Sequence, residues 1–191
     1  MRLSALFLGL GLCVAGVGTV VAAEPEYLRI IGTDTQFVVK GADGKDFVIR
    51  RTMTPCAKNK GWLQALVPVP GVHPVGEIEV LQSMNDPDAL LVDMREPNDR
   101  VDGTIPGSKH IVYTEVAGRM DELGCKKVAG KWDCTAAKKV VAFCNGPVCP
   151  QSPSAILAMT RDGFPANKIY YYRGGMLDWA ALGFPIVKGD F

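Results

Sequence analysis

An α/β fold, with a central, mostly parallel sheet flanked by helices on both faces, is what this sequence predicts. Three observations carry the prediction. Short runs at residues 89–93, 140–143 and 168–172 are almost continuously apolar rather than alternating, as strands buried on both faces must be. Between them lie segments with helical spacing of apolar positions. The 191-residue chain is 48% hydrophobic and 21% charged, enough to bury a sizeable core without disulfides.

Residues 1–23 have the pattern of a secretory signal peptide: Arg2, a long apolar stretch, then small residues Ala22 and Ala23 before Glu24. A retained membrane anchor is the competing reading, weakened by Gly9, Gly11, Gly16 and Gly18. Cys13 raises a lipoprotein reading, but Leu12 stands where a small residue is wanted. Export and cleavage are therefore expected, to the periplasm, with no stable membrane insertion afterwards. Cleavage leaves basic and acidic residues in balance, so no basic face for nucleic acid is advertised. It also leaves five cysteines, Cys56, Cys125, Cys134, Cys144 and Cys149. An odd number in an oxidising compartment leaves at least one thiol free or paired outside the chain.

Residues 24–70 read as a small β-rich extension. Two apolar runs, 36–40 and 46–50, flank an Asp43-Gly44 turn, the signature of a hairpin. A Pro- and Gly-rich stretch with Cys56 and Trp62 follows, ending in a Val67-Pro-Val-Pro-Gly71 connector. Residues 71–191 form the main domain. In order, 76–84 is a helix with Ile78 and Leu81 on one face, and Ala89–Asp93 is a strand ending in an acid. Residues 114–123 are a helix with Val116, Met120 and Leu123 inward and Thr114 as its cap. Residues 140–143 are the second buried strand, and 152–162 a helix closed by Gly163. A strand at 168–172 and a short helix at 176–182 complete the domain.

The strand at 140–143 delivers Cys144 into a Gly- and Pro-rich loop, Cys144-Asn-Gly-Pro-Val-Cys149-Pro-Gln-Ser152. Ser152 is placed to cap the following helix, with Pro153 at its first position. Loop amides and the positive end of a helix make an anion site. A thiol there should ionise more easily than usual, which makes it a nucleophile. An inert core cysteine is the alternative, and a loop at a strand's carboxyl end is a poor place for one.

Four blocks in the second half resemble the rhodanese-like domains, cysteine-dependent sulfurtransferases. Leu91-Val-Asp93-Met-Arg95-Glu96 is similar to the family's Asp-x-Arg strand, and Gly103-Thr-Ile-Pro-Gly-Ser108 to its Gly-His-Ile-Pro-Gly-Ala segment, with Thr104 in place of His. Cys144 falls on the active-site cysteine. Gly174-Gly175, Trp179 and Gly183-Phe-Pro-Ile186 are similar to the closing Gly-Gly…Trp…Gly-x-Pro. The resemblance spans residues 71–187 and not the extension. It implies a Cys144 persulfide, formed from a small sulfur donor such as thiosulfate and passed to a thiol acceptor, with no metal or organic cofactor. Asn145, Gly146, Pro147, Val148, Cys149, Pro150, Gln151 and Ser152 would form the anion-binding loop.

The loop is two residues longer than the family's usual form and contains no Arg. Its size is similar to the arsenate-reductase and dual-specificity-phosphatase branch, but without an Arg to clamp an oxyanion, phosphatase chemistry is disfavoured. Arg173 is the nearest candidate for a positive charge from outside the loop, with Arg95 and Asp93 as further auxiliary residues. Cys125 and Cys134 flank a hairpin; a two-residue turn at Ala129-Gly130 would set them opposite each other for a disulfide, the preferred reading, while a bulged turn would put them out of register by one. A zinc site is the weaker reading there, since His73 and His110 lack ligand spacing. Cys149 pairs either with Cys56 or with Cys144. Two rival functions therefore stay open: a non-catalytic rhodanese-like module that binds a protein partner, and a thiol oxidoreductase using Cys144 and Cys149.

Overall fold

A computed structural model describes residues 27–30, 33–52 and 62–189. The signal-peptide reading of 1–23 and the pairing of Cys56 lie outside the described residues. Nine strands and four α-helices are described. Strands β1 (Gln36–Lys40) and β2 (Asp46–Arg50) form the predicted antiparallel hairpin, with Gly44 at φ +79° in its turn.

The main sheet is five-stranded and parallel throughout, in the order β3 (His73–Pro74), β9 (Ile169–Tyr172), β8 (Lys139–Phe143), β4 (Ala89–Asp93), β5 (Lys109–His110). The central strands β4, β8 and β9 are apolar along most of their length because both faces are covered, whereas the edge strands β3 and β5 carry polar residues. On one face Val92, Val140, Ala142, Ile169 and Tyr171 pack with Ala155, Ile156 and Met159 of α3 (Gln151–Arg161). On the other, Leu91, Val141, Phe143 and Tyr172 pack with Val80 of α1 (Glu77–Ser83) and Trp179 of α4 (Gly175–Ala181). The alternation 140/142 against 141/143 is the two-residue period of a strand dividing one apolar run between two cores.

Three local expectations are corrected. Residues 114–123 do not form an α-helix but two 3₁₀ turns, Val116–Gly118 and Met120–Leu123, separated by Arg119 in a non-helical conformation. Val116, Met120 and Leu123 are still fully buried, so spacing forecast the buried face but not the helix type. Gly118, at the end of the first turn, removes the intrinsic preference that would have carried one helix through. In α1 the inward residue is Val80, while Ile78 is 62% exposed. The Glu79 carboxylate accepts from the Gly76 amide at 2.9 Å, which fixes the rotation of this two-turn helix. Finally, α3 starts at Gln151 after Pro150, so Ser152 lies within its first turn and caps nothing. Pro153 is tolerated there because first-turn amides need no intrahelical partner.

The second hairpin pairs β6 (Lys126–Val128) with β7 (Lys131–Asp133) around Ala129 and Gly130, both at positive φ (49° and 80°). That two-residue turn brings Cys125 and Cys134 together with Cα atoms 4.2 Å apart. The structure has α2 at Pro97–Asp102, a helix the sequence reading left within a connection.

Candidate active site

β8 is the central strand of the sheet, and Cys144 is the first residue beyond its carboxyl end, between the ends of β4 and β9. Crevices outside strand carboxyl ends are where parallel sheets bind ligands. The loop turns back at once: the Cys149 amide donates to the Gly146 carbonyl at 2.9 Å, and the Cys144 thiol donates to the Cys149 carbonyl at 3.4 Å. The two cysteines, five residues apart, thus meet. Both are buried and neither is in a disulfide.

Why the Gly-Gly block must be glycine is visible in the contacts beneath the loop. The amides of Met176 and Leu177, at the start of α4, donate to the carbonyls of Cys144 and Asn145, each at 3.0 Å. A Cβ on Gly175 would lie 2.2 Å from the Cys144 carbonyl oxygen, and Gly175 has φ +56°. Only glycine lets α4 approach this closely.

The electrostatics favour a reactive Cys144. Burial opposes ionisation of its thiol. That penalty is outweighed by donation from the Cys149 thiol, the Ser152 amide, the Ser152 hydroxyl and the Gly146 amide, which together bring the pKa down to about 7. The Cys149 thiol, which donates to Gln151 Oε1 at 3.4 Å, is pushed up first by its interaction with the Cys144 sulfur, then by burial and by the negative charge beside it. One thiolate and one thiol share the loop. Ser152 Oγ is fully buried and has no hydrogen-bond partner among the described residues, which leaves it free to donate to the thiolate. The Tyr171 hydroxyl is also buried and unpartnered, and burial, then the nearby Cys144 and Cys149, push its pKa up.

Asp93 and Arg95 form the support of the loop. Asp93 Oδ1 accepts from Arg95 Nε at 2.9 Å and Oδ2 from Arg95 Nη2 at 2.7 Å, a buried bidentate pair. Thr104 Oγ1 donates to Asp93 Oδ2 at 2.7 Å. Arg95 then reaches Asn145 Oδ1 at 3.3 Å, and Asn145 Nδ2 donates to Asp99 Oδ2 at 3.1 Å. Arg95 is therefore the guanidinium facing the loop, whereas Arg173 donates to the Gln64 carbonyl at 3.0 Å on the side of the extension. Gln64 in turn donates its amide to the Pro147 carbonyl at 2.8 Å, so the extension braces the loop.

A cavity of about 300 Å³ opens beside the loop, with Arg95, Asp99, Asn145, Cys149 and Leu177 in its wall. Cys149 forms part of that wall and Cys144 does not. No group of side chains suited to a metal ion exists among the described residues.

Sequence reasoning missed Asp99, Tyr171 and the Gln64 brace. Asp99 sits in a short helix with no apolar period, and Gln64 in a segment outside the resemblance; neither has a local signal. Tyr171 was legible only as a strand residue.

Residues 78–182 match the family model of the rhodanese-like domain, more than half of the chain. The chain belongs to the rhodanese-like domain family. An HTH-type transcriptional regulator of Mycobacterium tuberculosis is 30% identical over 111 residues, 58% of this chain and 43% of the regulator, so this rhodanese-like chain spans less than half of that relative. Among solved structures, the rhodanese-like domain of an Anabaena protein is 19% identical, with a TM-score of 0.44 over 61% of this chain and 80% of that one. A thiosulfate sulfurtransferase from Pseudomonas aeruginosa is 23% identical, with a TM-score of 0.43 over 60% of this chain and 19% of its own. The rhodanese-like family contains sulfurtransferases and non-catalytic members alike, so the function rests on the loop just described.

Proposed function

We propose that this protein is an exported sulfurtransferase that carries sulfane sulfur as a persulfide on Cys144. The observation that supports it above others is a strand-end thiol whose pKa is brought to about 7 by loop amides and the Ser152 hydroxyl. At neutral pH about half of such a thiol is thiolate, against ~1% for an unperturbed one near pKa 9.

The Cys144 thiolate attacks the outer sulfur of a thiosulfate- or persulfide-like donor. The donor's S–S bond breaks, and sulfite or a thiolate leaves with the electron pair. The persulfide on Cys144 is held by the donors that held the thiolate, and a thiol acceptor takes its outer sulfur in a second displacement. Export through a cleaved 1–23 leader, with the periplasm as destination, belongs to the same reading, as does a Cys125–Cys134 disulfide, which an oxidising compartment favours.

Mass spectrometry tests it. Reduced protein incubated with thiosulfate, and separately with a small-molecule persulfide, should release sulfite or thiol in step with sulfur uptake at Cys144. Cys144→Ser should do neither. Wild-type protein that leaves both donors untouched would refute the reading and favour a binding module.

A further inference from the structure

An external acceptor meets an obstacle in this loop: both cysteines are 1% exposed, and Cys149, not Cys144, lines the cavity. The nearest thiol able to act on a Cys144 persulfide is already inside the protein.

We propose that Cys149 is a second catalytic residue, which attacks the inner sulfur of the Cys144 persulfide and expels the transferred sulfur as hydrosulfide. This rests on the persulfide chemistry proposed above and takes it one step further.

Three features of the geometry support it. The Gly146–Cys149 turn folds the loop's second cysteine over its first, and the Cys144 thiol reaches the Cys149 carbonyl at 3.4 Å. The Cys149 thiol donates to Gln151 Oε1 at 3.4 Å, in the same turn that holds Cys144 and close enough to interact with its sulfur. The loop has no Arg to hold a persulfide or an oxyanion in a long-lived state. A nucleophile held in the same loop also outcompetes a dissolved thiol, because its translational freedom has already been surrendered.

The step balances. The persulfide anion takes the Cys149 proton onto its outer sulfur. The Cys149 thiolate so formed attacks Cys144 Sγ. A Cys144–Cys149 bond forms, the bond from Cys144 Sγ to the outer sulfur breaks, and HS⁻ departs with the electron pair. The two cysteines are oxidised by two electrons, and the sulfane sulfur is reduced to sulfide. A dithiol reductant restores the pair for another round.

The experiment uses purified protein, reduced, freed of reductant and kept anaerobic, with thiosulfate as the donor. Wild type should release sulfite and sulfide in equal amounts, one of each per chain, and end with a disulfide that peptide mapping assigns to Cys144 and Cys149. Cys149→Ser and Cys149→Ala should release sulfite, retain one extra sulfur on Cys144, and release at least tenfold less sulfide. Wild type that keeps its extra sulfur as the variants do, or carries it on Cys149, would overturn the proposal while leaving the Cys144 persulfide intact. Absence of sulfite from all three proteins would overturn both. The wild-type stoichiometry alone decides the matter should a variant fail to fold.

Discussion

Ser152→Ala isolates one donor to the Cys144 thiolate. The hydroxyl is fully buried and has no hydrogen-bond partner among the described residues, so its removal leaves no orphaned group and a void of only one oxygen. A hydrogen bond to a charged group contributes roughly 1.5–3 kcal/mol. At about 1.4 kcal/mol per unit, that is a rise in the Cys144 pKa of about one to two units from its value near 7. The thiolate fraction at pH 7 then falls from about one half to between ~1% and ~10%. Ultraviolet thiolate absorbance and the pH profile of alkylation by a small reagent, read by peptide mapping at Cys144, both report the midpoint. Stability supplies an independent check with a definite sign. The folded pKa lies below the ordinary 9.0, so the thiolate stabilises the fold fully above pH ~9 and ceases to do so as pH falls through about 7. The variant should therefore be less stable than wild type at alkaline pH and no less stable below pH 6. An unchanged midpoint, or a loss of stability equal at all pH values, would show that Ser152 supports packing and not the thiolate.

Two further perturbations address the scaffold of the loop. Gly175→Ala places a Cβ 2.2 Å from the Cys144 carbonyl and should cost about 2–4 kcal/mol in urea unfolding. Gly107→Ala is the control, at φ +75° with nothing within 4 Å, and should cost only about 1–2 kcal/mol; equal losses would discount the close approach of α4. Asp93→Asn leaves Arg95 buried without its carboxylate and should cost about 3–5 kcal/mol, with donor-dependent sulfur loading of Cys144 slowed as Asn145 loses its anchor. Wild-type stability in that variant would contradict the role given to the pair.

Much of this protein could be read from local pattern alone. The three apolar runs marked the buried parallel strands, because a strand covered on both faces has no position left for a polar residue. The Asp43-Gly44 and Ala129-Gly130 turns located the hairpins, since positive φ is a demand that few residues meet. The four motif blocks, in order, placed the chain in its family and Cys144 at the end of β8. Where the chain's own preferences were weak, pattern failed: over 114–123 it forecast the buried residues but not the 3₁₀ geometry, and in seven-residue α1 it chose Ile78 over Val80.

Only tertiary structure decided which charges and thiols meet. Arg95, not Arg173, faces the loop: both follow strands that flank β8, but Arg95 reaches Asn145 while Arg173 is drawn to Gln64. Asp99 reaches Asn145 across 46 residues of chain, and the Gln64 amide reaches Pro147 across 83. The Cys144–Cys149 contact is sequence-local, yet it too needed the fold. The loop folds back on itself only because α4 is seated beneath it, which requires Gly175 at a positive φ some 30 residues away. Local pattern reports what each segment prefers. Sheet order and close backbone approach set which segments are neighbours, and the reactivity of Cys144 is a property of neighbours.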